Sequence, residues 1–212
     1  MVRRRGGFCY ALIGLSAAAL RELGFEAAML SARVANAEGA FGPDFDHMTL
    51  LVTLNEDEVP QRWTSTPTGL PRRGPRLVDV GFGDSFLEPL LLDSRQEQAQ
   101  GECGYKIVSD GADLTLMQRE SVGEWKAQYR FTLQPYSYAD YAEMCRYHQT
   151  SPNSHFTRAR ICTRATPEGR ITLSEMRLIK TIHGQERTER LLTNDAEYSS
   201  VLNEHFGVVM NI

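Results

Sequence analysis

The chain has 212 residues, of which 42% are hydrophobic and 24% are charged, and its formal net charge is −4 at pH 7. This composition excludes a mainly disordered or collagen-like chain, because enough apolar residues are present to build a core. The negative charge gives no electrostatic basis for a nucleic-acid partner, and no apolar run reaches the roughly 18 residues that a membrane-spanning helix needs.

The first predicted element is a helix over residues 9–23. Its apolar residues recur at spacings of three and four, which is typical of one helical face. The residues that share this face are Leu12, Leu15, Ala19 and Leu23. Gly24 is the expected C-terminal stop. Because Gly6 and Gly7 directly precede the helix, Cys9 is predicted to lie in its first turn.

Strands dominate the rest of the chain. The apolar, β-branched runs predict strands over residues 25–34, 48–54, 76–80, 105–108, 114–118, 125–132, 158–163, 170–173 and 175–182. Residues 55–75 are rich in proline and glycine and are predicted to form a long loop or flap. Helices are expected over residues 137–148 and 195–206. This order predicts an α+β fold with a central antiparallel barrel or sheet.

The cysteines indicate a protein of the reducing cytoplasm. Cys9, Cys103, Cys145 and Cys162 form no C-x-x-C pair, and four cysteines in this length are far below the density of a disulfide scaffold. No paired ligand spacing accompanies the histidines, so the sequence predicts no metal site.

Three side chains together suggest nucleophilic catalysis. A cysteine at a helix N-terminus is favoured as thiolate, which places Cys9 as a candidate nucleophile. His47 begins one predicted strand and Asp79 lies near the far end of the strand over 76–80, so antiparallel pairing would make them neighbours. Each residue alone has a structural explanation, as a small buried thiol or an edge residue facing water. Together they supply a nucleophile, a base and a carboxylate that orients the base.

The motifs around these residues resemble one family. Arg5-Gly6-Gly7-Phe8-Cys9 resembles the R-G-G-[FY]-C signature of arylamine N-acetyltransferases, and His47-Met48-x-Leu50-Leu51-Val52 resembles their histidine strand. Val78-Asp79-Val80-Gly81-Phe82-Gly83 resembles their D-V-G-F-G segment. Near the C-terminus, S-P-x-S-x-F over residues 151–156 and G-R-x-T-L over residues 169–173 are similar to the family's C-terminal portion.

The resemblance implies a ping-pong acetyltransferase without a metal. Cys9 would take the acetyl group from acetyl-CoA, with His47 as base and Asp79 orienting it, and an aromatic amine, arylhydrazine or N-hydroxyarylamine would then accept the group. It further implies that Phe82, Gly83, Asp84 and Phe86 shape the acceptor pocket. Metabolism of foreign aromatic compounds is the implied setting.

The implied architecture has three parts around a cysteine-protease or transglutaminase-like core. Residues 1–24 would be a remnant of the family's helical domain carrying the catalytic cysteine, residues 25–135 a β-barrel domain with His47 and Asp79, and residues 136–212 a C-terminal α/β lid. Because family members carry further helices ahead of R-G-G, we expect Leu12, Leu15 and Leu23 to be exposed.

The sequence departs from the family where C-x-E-L-N is usual, because Ala11 and Ile13 are apolar here. Three alternatives therefore accompany the acetyltransferase hypothesis. One is a similar amide synthase that closes a macrolactam with an acyl group from a carrier protein. The second is a thiol hydrolase with the same three residues, and the third is an inactive truncated homologue that binds a partner.

Overall fold

A computed structural model describes residues 7–54, 74–120, 123–182 and 187–210. It divides into two compact units, one formed by Phe8–Tyr141 and one that begins at Ala142. The predicted loop over residues 55–75 lies outside the described residues as far as residue 73. The three-part division into residues 1–24, 25–135 and 136–212 stays a prediction.

Helix α1, Cys9–Glu22, opens the first unit and confirms the predicted element. Its buried face consists of Tyr10, Ile13 and Ala17, and the helix packs on the first two strands of the chain. The opposite face is exposed as expected, with Leu12 at 38%, Leu15 at 43% and Leu23, which caps the helix, at 73% of full exposure.

The first unit is built on an eight-stranded antiparallel sheet. Its strands are β1 Glu26–Val34, β2 His47–Leu54, β3 Gly74–Val78, β4 Leu90–Leu91, β5 Gln98–Gln100, β6 Cys103–Asp110, β7 Asp113–Glu120 and β8 Lys126–Tyr136. Their order in the sheet is β4-β3-β2-β1-β8-β7-β6-β5, so the strands with the two catalytic candidates, β2 and β3, are adjacent.

The two edge strands of this sheet are joined by a buried side chain. The Gln98 amide accepts from the backbone N–H of Leu91 at 2.7 Å and donates to its carbonyl at 3.0 Å. Gln98 thus makes on β4 the two bonds that a neighbouring strand would make. The sheet is nearly closed into a barrel around an apolar core that includes Leu30, Leu77 and Phe131.

The second unit pairs a smaller sheet with helices. It contains α2 Ala142–Thr150, α3 His155–Arg158, β9 Ile161–Thr166, β10 Gly169–Ser174, β11 Arg177–Ile182, β12 Thr188–Leu191 and α4 Asp195–Phe206. The strands are antiparallel in the order β12-β11-β10-β9. Leu173 and Leu178 form a core with Tyr198 and Leu202 of α4. Asn194 caps α4 by accepting from the N–H of Glu197.

The α+β class with a central antiparallel sheet is confirmed, and some boundaries are corrected. The helix predicted from residue 137 begins at Ala142, because a 3₁₀ turn over Tyr138–Tyr141 precedes it. The strand predicted from residue 175 begins at Arg177, because Glu175 adopts a φ of 49° that a strand does not allow. β4, β5, β12 and α3 are too short to leave a periodic pattern. None of the described helices has the length and apolarity needed to cross a bilayer.

Candidate active site

Cys9 is the first residue of α1, as its glycine-rich approach predicted. Phe8 is the N-cap in extended backbone, and its carbonyl accepts from the N–H groups of Ala11 and Leu12 at 3.0 and 3.2 Å. The Cys9 thiol is free and half-buried. It therefore lies at the positive end of the helix dipole, which favours negative charge on the sulfur.

His47 is the first residue of β2, and only 3% of it is exposed. β2 and β3 pair antiparallel, with Leu50 opposite Val78, so the start of one strand meets the end of the other. The His47 Nε2 lies 2.7 Å from Oδ2 of Asp79. The structure thus brings together the two residues that strand pairing predicted to be neighbours.

Asp79 follows β3 instead of belonging to it, which corrects the strand predicted over residues 76–80. Its Oδ1 accepts from the backbone N–H groups of Gly81 at 2.9 Å and Phe82 at 3.0 Å. A short polar side chain that bonds the backbone two residues ahead stabilises a turn in place of a strand. The other carboxylate oxygen is left for His47, so a fully buried side chain has both oxygens bonded.

The Cys9 side chain lies close enough to His47 to act on it electrostatically. Because Nε2 faces Asp79, Nδ1 is the ring nitrogen that remains for the sulfur. Burial lowers the pKa of His47, but the charge and hydrogen bond of Asp79, together with the nearby Cys9 sulfur, raise it to about 10. The site therefore holds a protonated imidazole between a carboxylate and a sulfur at neutral pH.

Gly81 brings the turn after Asp79 against the cysteine. A Cβ at this position would lie 2.8 Å from Cys9 Cα, 2.9 Å from Cys9 Cβ and 2.9 Å from the Cδ1 of Ile13. Only a residue without a side chain allows this approach. The same turn that is held by Asp79 thus contacts α1 directly and fixes Cys9 relative to the carboxylate.

Aromatic rings enclose the imidazole. The Phe82 ring centroid lies 5.2 Å from that of His47, edge to face, and 5.1 Å from that of Tyr129. The ring of Tyr129, a residue of β8, has its centroid 5.3 Å from that of His47. Phe82, which the resemblance assigned to the acceptor pocket, is half-buried beside the imidazole, and its role in binding a substrate stays a prediction.

Tyr129 is the site residue that the sequence did not reveal. It is fully buried, its hydroxyl lies 3.4 Å from Thr49 Oγ1, and the Asp79 carboxylate acts on it electrostatically. Burial and the Asp79 carboxylate raise the pKa of Tyr129 well above its usual value, so the phenol stays protonated. A tyrosine in a predicted strand core was the available signal, because a buried hydroxyl needs a partner.

The remaining predicted substrate residues follow Phe82 along the chain. Gly83 has a φ of 96°, and Asp84 is exposed. Phe86 is 4% exposed and packs in the barrel core, 5.9 Å from the ring of Tyr105. Their substrate roles stay predictions. Among the described residues, no group of three or more His, Cys, Asp and Glu side chains could hold a metal ion.

The chain is similar to one protein family and to curated members with two kinds of activity. A family model described as N-acetyltransferase matches residues 1–212. The chain is 30% identical over 203 residues to the Proansamycin X synthase of Amycolatopsis mediterranei. The aligned region covers 94% of this chain and 71% of the synthase. It is also 30% identical over 210 residues to an arylamine N-acetyltransferase of Escherichia coli, with 98% of this chain and 68% of that enzyme covered.

Solved structures of arylamine N-acetyltransferases have the same fold as this chain. The arylamine N-acetyltransferase of Salmonella typhimurium superposes with a TM-score of 0.83 at 26% identity, covering 100% of this chain and 71% of that one. The Mycobacterium marinum arylamine N-acetyltransferase in complex with CoA superposes with a TM-score of 0.81 at 28% identity, covering 97% and 71%.

Proposed function

The chain belongs to the arylamine N-acetyltransferase family, and we propose that it carries an acetyl group from acetyl-CoA, through an acetyl-cysteine, to an arylamine, arylhydrazine or N-hydroxyarylamine. The observation that supports this most directly is the His47 imidazole held between the Asp79 carboxylate, at 2.7 Å, and the Cys9 thiol. The CoA bound to the Mycobacterium marinum relative supports the choice of acyl donor.

In the first half-reaction, Cys9 is the nucleophile. The imidazole holds the proton of the Cys9 thiol, so the sulfur attacks the carbonyl carbon of the thioester as thiolate and forms a new C–S bond. The helix N-terminus at Cys9 favours the negative charge that develops on the acyl oxygen. The intermediate collapses by breaking the bond to the CoA sulfur, which leaves as a thiol after taking the proton from His47. One thioester replaces another, so no further energy source is required.

In the second half-reaction, the acetyl group passes to nitrogen. Aromatic amines are weak bases that remain neutral at neutral pH, so the nitrogen can attack the acetyl carbon directly. The C–S bond to Cys9 breaks, and His47, now neutral, takes the proton of the amine. Sulfur and imidazole thereby return to their starting charges. An aryl ring would be in contact with Phe82, whose ring packs edge-on against His47.

The proposal is tested by supplying acetyl-CoA and an aniline or arylhydrazine. We expect release of CoA thiol together with an N-acetylated product, parallel double-reciprocal plots, and, without acceptor, one acetyl group on the peptide that contains Cys9. Cys9→Ala should abolish all three, whereas Cys145→Ala, a half-buried thiol in the second unit, should leave them unchanged. Transfer at the wild-type rate by Cys9→Ala would contradict the mechanism.

Amide synthesis is the second candidate, and the 30% identity to the Proansamycin X synthase favours it. The same three side chains would then take an acyl group from a carrier protein and pass it to an amine of the same molecule. A pantetheine thioester with a tethered aromatic amine distinguishes the two functions. Faster cyclisation of that compound than acetylation of a free aniline would favour the synthase.

The setting that we propose is the cytoplasm, with a role in the metabolism of foreign aromatic amines. It is supported by the four free thiols of the described residues, since a reducing compartment keeps cysteines in this state. Fractionation of cells that express the tagged chain would test the location.

A further inference from the structure

The backbone just ahead of His47 adopts a conformation that its residues do not favour. Phe45 has a φ of 63°, in the left-handed region that a bulky side chain rarely occupies. Such a conformation persists only where the surroundings hold it in place, and functional sites are where it concentrates. Phe45 lies two residues before the candidate base, so whatever holds it also sets the entry of β2.

Two hydroxyl groups hold this turn through different backbone atoms. Ser31 Oγ on β1 accepts from the backbone N–H of Phe45 at 2.7 Å. The Tyr10 hydroxyl on α1 lies 2.7 Å from the carbonyl oxygen of Phe45, to which it donates, and 3.2 Å from that of Asp46. The Phe45 ring packs edge-on against Tyr136 and Tyr141, at 4.8 and 5.2 Å.

Tyr10 is the residue directly after Cys9 in the chain. Only 2% of it is exposed, and it belongs to the buried face of α1. A hydrogen bond from Tyr10 to Phe45 therefore connects the helix that carries the sulfur to the turn that carries the imidazole. Ala11 and Ile13, which stand where the family motif has polar side chains, can form no such bond.

We propose that Tyr10 is a positioning residue, whose hydroxyl sets the distance between the Cys9 sulfur and the His47 imidazole by holding the Phe45–Asp46 turn. The inference rests on the proposed function in that Cys9 is taken as nucleophile and His47 as base. Without the hydroxyl, the Phe45 carbonyl loses its partner and the left-handed turn relaxes. His47 then moves relative to the sulfur, and small displacements of this kind are costly in catalysis.

Tyr10→Phe tests this with little risk to folding, and the chain offers a matched control. Tyr141 belongs to the same aromatic cluster, with its ring centroid 5.9 Å from that of Tyr10, but its buried hydroxyl has no hydrogen-bond partner among the described residues. Tyr141→Phe thus deletes the same group where no described residue hydrogen-bonds it, and burial keeps the pKa of this phenol above its usual value, so that the lost group is uncharged.

The first measurement is alkylation of Cys9 by iodoacetamide as a function of pH, followed by mass spectrometry. In Tyr10→Phe we expect the rate at neutral pH to fall roughly three- to tenfold, the effect of one lost hydrogen bond, and the midpoint of the profile to move to higher pH. The titratable groups that face His47, namely Asp79, Cys9 and the phenol of Tyr129, are the same in both variants. Tyr141→Phe should match the wild type.

Acetyl transfer gives the second measurement. Tyr10→Phe should lower kcat by a similar factor and leave the KM for acetyl-CoA unchanged. Ser31→Ala, which removes the hydrogen bond to the Phe45 N–H, should shift the alkylation profile in the same direction.

A wild-type alkylation profile in Tyr10→Phe, with only a lower melting temperature, would overturn the proposal, since that is the result of a purely structural role. Because alkylation requires no acetyl donor or acceptor, this result is distinct from a failure of the acetyltransferase function.

Discussion

Replacing Asp79 by asparagine changes the charge beside His47 with almost no change in shape. The asparagine side-chain oxygen can still accept from the N–H groups of Gly81 and Phe82, so the turn after β3 is retained. What is lost is the negative charge 2.7 Å from a buried imidazole. The variant therefore separates the electrostatic role of Asp79 from its structural one.

The size of the effect follows from the opposing influences on His47. Burial lowers its pKa, and the raised pKa of about 10, from an ordinary 6.5, depends on Asp79 and Cys9. This rise corresponds to about 5 kcal/mol in favour of the charged imidazole. With asparagine at position 79, the effect of burial on the His47 pKa dominates, and the imidazole is uncharged at neutral pH. We expect kcat/KM for acetyl transfer to fall by about 10³-fold or more, as when the carboxylate of a comparable triad is neutralised.

The charge on His47 can be measured directly by NMR titration of protein with ¹³C-labelled histidine, using His47→Gln to assign the resonance. The wild-type resonance should titrate far above the usual range, and that of Asp79→Asn below it. Asp110→Asn, which neutralises an exposed carboxylate at the end of β6, controls for net charge. A high His47 pKa in Asp79→Asn, or acetyl transfer by this variant within tenfold of the wild-type rate, would refute the electrostatic role of Asp79.

The other predictions concern the turn, the phenol and the pH dependence of folding. Gly81→Ala should slow acetyl transfer and Cys9 alkylation at least tenfold, because the alanine Cβ would lie 2.8 Å from Cys9 Cα. Alkylation of this variant at the wild-type rate would show that the turn can shift freely. Tyr129→Phe removes the hydroxyl on which the Asp79 carboxylate acts and should lower kcat by up to about tenfold, the effect of one lost polar contact. An unchanged kcat would confine Tyr129 to packing. Because the pKa of His47 is raised in the folded state, the charged imidazole contributes its full stabilisation below pH 6.5, and this stabilisation is lost as the pH rises towards 10. The free energy of urea unfolding should show this decline in the wild type and not in His47→Gln.

Local patterns predicted much of what positions the site. The spacing of apolar residues located α1, and the glycines ahead of it placed Cys9 in the first turn, where the structure has it. The run after His47 predicted β2, and pairing across the following loop predicted that His47 and Asp79 would be neighbours. These inferences succeeded because each depends on residues close in sequence or on one antiparallel pair.

The sequence did not predict the contacts between segments that are far apart in the chain. The end of β3 at Val78 depends on the Asp79 carboxylate accepting two N–H groups ahead of it, which a strand pattern does not encode. Tyr129 approaches His47 from β8, and the sequence does not fix the register of that strand against β1. β4 and β5 have only two and three residues, so closure of the barrel by Gln98 left no periodic signal.

The departures from the family motif after Cys9 find a physical reason in these distant contacts. Ile13, which stands where the motif has a polar residue, is fully buried, and its Cδ1 is one of the atoms that a Cβ at Gly81 would meet. A polar side chain there would need a buried partner that the glycine turn does not provide. Apolar packing against Gly81 and the hydrogen bond of Tyr10 to Phe45 therefore act together, since one fixes Cys9 to the Asp79 turn and the other fixes it to the His47 strand. If this is correct, Gly81→Ala and Tyr10→Phe combined should alter Cys9 alkylation by less than the product of their separate effects, because both act on the same position of the sulfur.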